Sequence, residues 1–277
     1  MITNHIFSVD HGIKSTFLSH DLLNTGMGEI HSIFKSSFNI ILQGKLIHFG
    51  KIELGISAFG FGISETDMET ILAFLQIGNK VVVHKEKMMI YSQYRILKVT
   101  IQNFTEFNCR IPLIKTAEPF FLKKVSTKLE ELDIENKMGL NIADEHILSD
   151  VIRDEFKNTA TNKRLFDYLV GRGKGLTPSG DDILMGMYMM LYSLEDSLQW
   201  YYSLKESLAR NNTTDVSQAY YQALLSGYTS SRFVEFMTVV QEGNEKQLDR
   251  VIKDITEYGH TSGWDTLYGL SIVLRSY

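Results

Sequence analysis

Hydrophobic and polar positions follow two different rhythms along this chain. Over roughly the first 120 residues they come in short runs. Asn39-Ile40-Ile41-Leu42, Lys45-Leu46-Ile47-His48-Phe49, Lys80-Val81-Val82-Val83-His84, Met88-Met89-Ile90-Tyr91 and Ile96-Leu97-Lys98-Val99-Thr100-Ile101 are apolar or β-branched and read as strands. Gln43-Gly44, Gly50-Lys51 and Gly78-Asn79 separate them as turns. One helix is expected among them, from about Glu65 to Leu75, opened by the capping box Ser64-Glu65-Thr66-Asp67. From about 121 onward the apolar positions recur at helical spacing. Helices are expected from Phe120 to Glu131, Ser149 to Phe156, Lys163 to Leu169, Val216 to Leu225, Ser231 to Val240, Glu245 to Glu257 and Asp265 to Leu274. The stretch Ile183 to Leu198 is apolar nearly all round and predicts a central buried helix. Pro112, Pro119 and Pro178 all fall where an element begins or ends. The expected fold is α+β. A β-rich domain over 1–120, a small bent sheet or barrel, precedes an all-helical domain over 121–277.

Two segments of the helical half are nearly the same. Ser179-Gly180-Asp181-Asp182-Ile183-Leu184-Met185-Gly186 and Ser262-Gly263-Trp264-Asp265-Thr266-Leu267-Tyr268-Gly269 both fit S-G-x-D-x-L-x-G. Each puts a polar turn before a buried helix. Taken singly, S-x-x-D ahead of an apolar run reads as a helix cap worth about 1 kcal/mol. A cap does not require Gly186 or Gly269, two turns into each helix, where glycine costs about 1 kcal/mol relative to alanine. Those glycines predict that the two helices cross backbone to backbone and hold the two turns side by side.

Composition narrows the function classes. Across 277 residues, 44% are hydrophobic and 22% charged, as in an ordinary folded chain. A net charge of −5 and a pI near 5.9 argue against nucleic acid or an anionic membrane as the main partner. No stretch approaches the roughly 20 apolar residues of a membrane span. Met1-Ile2-Thr3-Asn4-His5 lacks the basic start of a secretory signal, and the expected location is cytoplasmic. The single cysteine, Cys109, excludes an internal disulfide and reads as an inert buried thiol between strand-like flanks. The scattered histidines include no H-x-x-x-H or H-E-x-x-H pair, against a zinc enzyme.

The first turn is preceded by Gly171-Arg172-Gly173-Lys174-Gly175-Leu176-Thr177-Pro178. Glycines before a helix N-terminus expose backbone N–H groups and favour an anion such as phosphate or a carboxylate. The pattern is neither a P-loop nor a dinucleotide fingerprint. Candidate anion or substrate contacts are Gly173, Lys174, Gly175, Thr177, Ser179, Gly180, Ser262 and Gly263. Asp181, Asp182 and Asp265 are candidate catalytic carboxylates, which orient a substrate or, in the case of Asp181 and Asp182, hold Mg²⁺. Beside a phosphate they would repel it unless a metal intervenes, a substrate amide donates to them or one is protonated. His260 is a candidate general acid or base. His31 and Asn39 are candidate substrate contacts that could roof the site. Thr214 or Asp215 is expected to cap the helix from Val216. The Met185, Met187, Met189 and Met190 cluster reads as core filling.

Gly171-x-Gly173-x-Gly175-Leu176-Thr177-Pro178-Ser179-Gly180-Asp181-Asp182, with Leu184 and Gly186, resembles the signature of the AllH-like family, long a domain of unknown function. His31-Ser32 with Asn39, Thr213-Thr214 with Ser217, and Gly259-His260-Thr261-Ser262-Gly263-Trp264-Asp265 resemble further segments of it. Ile40 replaces the usual Leu there, and Thr261 a common Ser. The resemblance implies a subunit of oxamate carbamoyltransferase, which converts oxalurate and phosphate to oxamate and carbamoyl phosphate together with other subunits in allantoin breakdown. It implies a small anionic metabolite and other carbamoyltransferase subunits as partners, with a homo-oligomer left open. Two rivals stand beside it: a Mg²⁺-dependent hydrolase or phosphotransferase, and a non-catalytic scaffold or ligand-sensing subunit in which the repeated turns are only caps.

Overall fold

The computed structural model describes residues 5–18, 20–114, 118–142, 145–210, 212–257 and 259–276. The expectation of no secretory signal rests on Met1 to His5, of which Met1 to Asn4 lie outside the described residues. The chain forms two compact units, one of residues 1–110 with 228–231 and one of 111–227 with 232–277. The division falls ten residues before the expected 120/121 boundary. The extended segment after Arg110 bonds to the helical unit: Ile111 N–H donates to Gly227 O, Ile114 N–H to Ser193 O, and Ser193 Oγ to Pro112 O.

The first unit is a curled ten-stranded half-barrel. Its elements are β1 (His5–Val9), β2 (Ile13–Ser15), α1 (His20–Asn24), β3 (Thr25–Ile33), β4 (Ser37–Leu42), β5 (Lys45–Lys51), β6 (Gly60–Ile63), α2 (Glu65–Leu72), β7 (Lys80–His84), β8 (Lys87–Tyr91), β9 (Arg95–Thr100) and β10 (Thr105–Phe107). The strand order is β1-β9-β8-β7-β3-β4-β5-β6-β2-β10. Phe38, Phe49 and Phe61 are registered across β4, β5 and β6 and stack at 4.8 and 4.7 Å, all fully buried. Such stacked rings hold one face of the sheet together. Ser64 Oγ caps α2 by accepting from Asp67 N–H at 3.1 Å, as the capping box predicts. β3 carries a bulge between Ile30 and Ser32. Cys109 is buried but lies outside any strand, and burial pushes its thiol up to about 11.

The second unit is all helical: α3 (Pro119–Glu130), α4 (Glu145–Arg153), α5 (Thr159–Leu169), α6 (Ser179–Ser193), α7 (Leu198–Leu208), α8 (Asp215–Leu225), α9 (Ser231–Gln241), α10 (Glu245–Thr256) and α11 (Ser262–Leu274). The expected helix from Ile183 to Leu198 stops short. Glu195 adopts φ +60° and Asp196 N–H turns back to Leu191 O, so the chain leaves α6 and re-enters as α7. α6 and α11 are buried nearly end to end and form the centre of the unit's core. Thr214 caps α8 by accepting from Ser217 N–H at 3.0 Å. Among the described residues no helix is long and apolar enough to cross a membrane.

Candidate functional site

The repeated segments meet because their helices cross without side chains between them. A Cβ built on Gly186 would lie 2.1 Å from Thr266 O, and one on Gly269 would lie 2.0 Å from Ile183 O. Adding 83 to 183 and 186 gives 266 and 269, so the two contacts are equivalent. α6 and α11 are therefore related by a local twofold, and each glycine seats the other helix's backbone. The mid-helix glycines thus have the role their propensity cost predicts.

The crossing sets the two turns against each other. Thr177 Oγ1, just ahead of α6, and Ser262 Oγ, the first residue of α11, are 2.9 Å apart. The Ser262 and Thr177 hydroxyls lie beside Asp182 and favour its charged form, while the Ser179 and Thr261 hydroxyls do the same for Asp265. Each serine thus serves the acid of the opposite helix. This corrects the capping expectation. Pro178 and Thr261 are the N-cap residues, neither makes a side-chain cap bond, and Ser179 and Ser262 are already helical. Asp265 Oδ1 also accepts from Gly139 N–H at 2.8 Å.

Asp182 and Asp265 are 6% and 0% exposed, and Oδ2 of each is buried without a partner among the described residues. Burial is the main cause that raises both acids above the ordinary carboxylate range. For Asp182 the rise is large, and the neighbouring Asp265 charge adds to it. A neutral carboxyl offers one acceptor and one donor, and it no longer repels an anion.

Asp181 has a different position. Its carboxylate accepts from Gly171 N–H at 2.9 Å, from Tyr221 Oη–H at 3.0 Å and from the Thr213 hydroxyl. It fastens the glycine loop to α6 and α8, and Thr214 Oγ1 adds a bond to Leu176 O. Three protein donors engage the Asp181 oxygens, which leaves this acid less free than Asp182 to meet a ligand or ion. The described residues hold no group of three or more His, Cys, Asp or Glu arranged for a metal.

The loop itself is exposed from Arg172 to Leu176. Gly173 has φ +123°, and a Cβ there would lie 2.7 Å from Ser179 N, so only glycine carries the chain over the start of α6. The N–H groups of Gly173, Lys174 and Gly175 donate to no group among the described residues, nor do those of Gly263 and Trp264 in the first turn of α11. Gly180 differs from the expectation: its N–H donates to Arg172 O at 2.8 Å and is not available to a ligand. The Arg172 guanidinium lies 3.8 Å over the Tyr168 ring. Lys174 is exposed, as is His260, which makes no described contact with either acid. His31 and Asn39 belong to the β unit, where both bond Ser32.

Gly139 was not legible in the sequence. It lies between α3 and α4, and a Cβ there would be 2.3 Å from Ser179 Oγ and 2.7 Å from Thr261 Oγ1. No spacing ties it to either turn, and only the bond to Asp265 reveals it. Tyr221 was missed for the same reason, as one aromatic position on an amphipathic helix.

Two family models match this chain. That of the AllH family N-terminal domain covers residues 6–106, and that described as oxamate carbamoyltransferase subunit AllH covers residues 169–274. The second span contains both repeated turns and excludes Gly139. No solved structure matches the chain.

Proposed function

The chain belongs to the AllH family, and on that premise we propose that it is a carbamoyltransferase subunit whose paired turns hold phosphate or carbamoyl phosphate together with a small ureido acid such as oxalurate. Other subunits of the enzyme are its partners. The observation that supports this reading best is the pair Asp182 and Asp265, brought together from two helices, each with one buried oxygen left over. A buried polar atom without a partner costs about 1–3 kcal/mol. A ligand that satisfies both oxygens recovers that cost.

The chemistry of a carbamoyl or ureido group matches the pair. Its C=O and N–H edges meet the donor and acceptor of a neutral carboxyl. The anionic end lies toward the unpaired N–H groups of Gly173, Lys174 and Gly175 and the N-terminus of α11, where the helix dipole favours negative charge. Lys174 adds a mobile cation, and Thr177, Ser179 and Ser262 hold the acids in place. Asp181 orients the loop rather than touching the reacting atoms. The rate gain from such a site is positioning together with stabilisation of the developing oxyanion by fixed N–H donors.

Calorimetric titration of the full chain with carbamoyl phosphate, and with phosphate for comparison, tests the reading. Binding that saturates without Mg²⁺ and weakens at least tenfold in Asp182→Ala and Asp265→Ala is expected. Binding of equal strength in both variants would overturn it.

A further inference from the structure

The β unit holds a second polar constellation. Ser32 on β3, Asn39 on β4 and His48 on β5 lie in register with one another, and Gly60 on β6 is opposite His48. The row faces away from the Phe38, Phe49 and Phe61 stack, since neighbouring strand residues point to opposite faces. Three bonds run along it. His48 Nδ1 lies 2.8 Å from Asn39 Oδ1, Asn39 Nδ2 donates to Ser32 Oγ at 3.0 Å, and His31 Nδ1 lies 3.1 Å from Ser32 Oγ. The bulge at His31 turns that ring beside its own neighbour, and bulges recur next to functional sites.

The bonds fix the direction of the protons. An amide oxygen only accepts, so His48 Nδ1 carries the hydrogen. Burial holds the His48 pKa down to about 4, so the ring is neutral near pH 7 and Nε2 is a bare acceptor. Two of the four places around His48 on its face are glycines, Gly50 and Gly60. A Cβ on Gly50 would lie 3.0 Å from His48 Nε2, and one on Gly60 would lie 2.5 Å from Ser57 Oγ. Ser57 is 4% exposed, and its hydroxyl has no partner among the described residues. An oriented acceptor and an unsatisfied hydroxyl thus lie over two glycines on one face of the sheet. One planar group presents the matching edge, a donor N–H next to an acceptor C=O.

We propose that His48 and Ser57, oriented by Asn39 and Ser32, form a second ligand site within the β unit that takes a small carboxamide or ureido group. His48 Nε2 accepts the ligand N–H, and Ser57 Oγ–H donates to its carbonyl. The site does not depend on the paired turns of the helical unit.

The test uses the full-length chain with ¹⁵N-labelled histidine and acetamide or N-methylurea as the probe. The His48 ring signals are assigned by scalar correlation to its backbone. Saturable upfield movement of the Nε2 signal is expected. It should weaken at least tenfold in Ser57→Ala and in Gly50→Ala and persist unchanged in Asp182→Ala. Gly50→Ala is the milder block, because the added methyl meets the His48 ring at 3.0 Å and otherwise only Gly55 O at 4.0 Å, an ordinary contact. An Nε2 signal that does not move overturns the proposal, as does an equal response in both blocking variants. Loss of the response in Asp182→Ala would also overturn it, by assigning the probe to the paired turns.

Discussion

Gly186→Ala is the sharpest mechanical test of the helix crossing. The new methyl would lie 2.1 Å from Thr266 O and 3.0 Å from its carbonyl carbon, both backbone atoms that no rotamer change can move. Ordinary contact begins near 3.4 Å, so α6 and α11 must part by about 1.3 Å. A radial gap of about 1 Å forfeits a quarter to a half of each dispersion contact along the crossing. Overpacking of this kind costs about 3 kcal/mol, and the alanine returns about 1 kcal/mol of helix propensity, which leaves a net loss of about 2 kcal/mol. Both tryptophans, Trp200 and Trp264, lie in the helical unit, so their fluorescence in a urea titration reports that unit alone. Gly269→Ala should cost about the same, because its contact with Ile183 O is the symmetry mate. The double variant should lose clearly less than the sum, since one separation of the helices relieves both methyls. A neutral or stabilising single variant, or strictly additive losses, would refute the backbone-to-backbone crossing.

Other predictions follow from the acids and the thiol. Asp182 has a folded-state pKa well above its ordinary 3.8, so its contribution to stability is fully present below that value and is lost as pH rises through the folded pKa. Urea midpoints measured across pH should therefore fall with rising pH more steeply in the wild type than in Asp182→Asn. Asp181→Asn should destabilise the helical unit by about 1–3 kcal/mol by disrupting its bonds from Gly171, Thr213 and Tyr221. The same variant should speed tryptic cleavage after Arg172 and Lys174, read by gel. Cys109, buried and held near a pKa of about 11, should react with a thiol reagent only on unfolding, with a rate that tracks denaturant.

The sequence made the division into a strand half and a helical half legible through its two hydrophobic rhythms. The helix crossing was legible too, because Gly186 and Gly269 carry a propensity cost that only close approach offsets. Several short elements were not. β2, β6 and β10 have too few alternating positions to show a period, β6 is half glycine, and β1 and the nine-residue β3 were not expected either. The helix expected to Leu198 runs past the true end of α6 because the break at Glu195 is a backbone conformation with no Gly or Pro to announce it, and α7 was not expected. In the site, the two acids stood out as a repeat, but their roles did not. Asp181 and Asp182 are adjacent in sequence, yet one is saturated by Gly171, Thr213 and Tyr221 and the other retains an open oxygen. That difference depends on which elements pack around each residue. Gly139 depends entirely on tertiary placement, 126 residues from the acid it bonds.

The central claim is that Asp182 and Asp265, from two crossing helices, share one ligand. It is tested most directly by ¹³C NMR of the aspartate carboxyl carbons during titration with carbamoyl phosphate. The account predicts that the Asp182 and Asp265 signals move together along one saturation curve while the saturated Asp181 stays nearly still. Movement of only one of the pair, or two curves with different midpoints, would contradict a shared site.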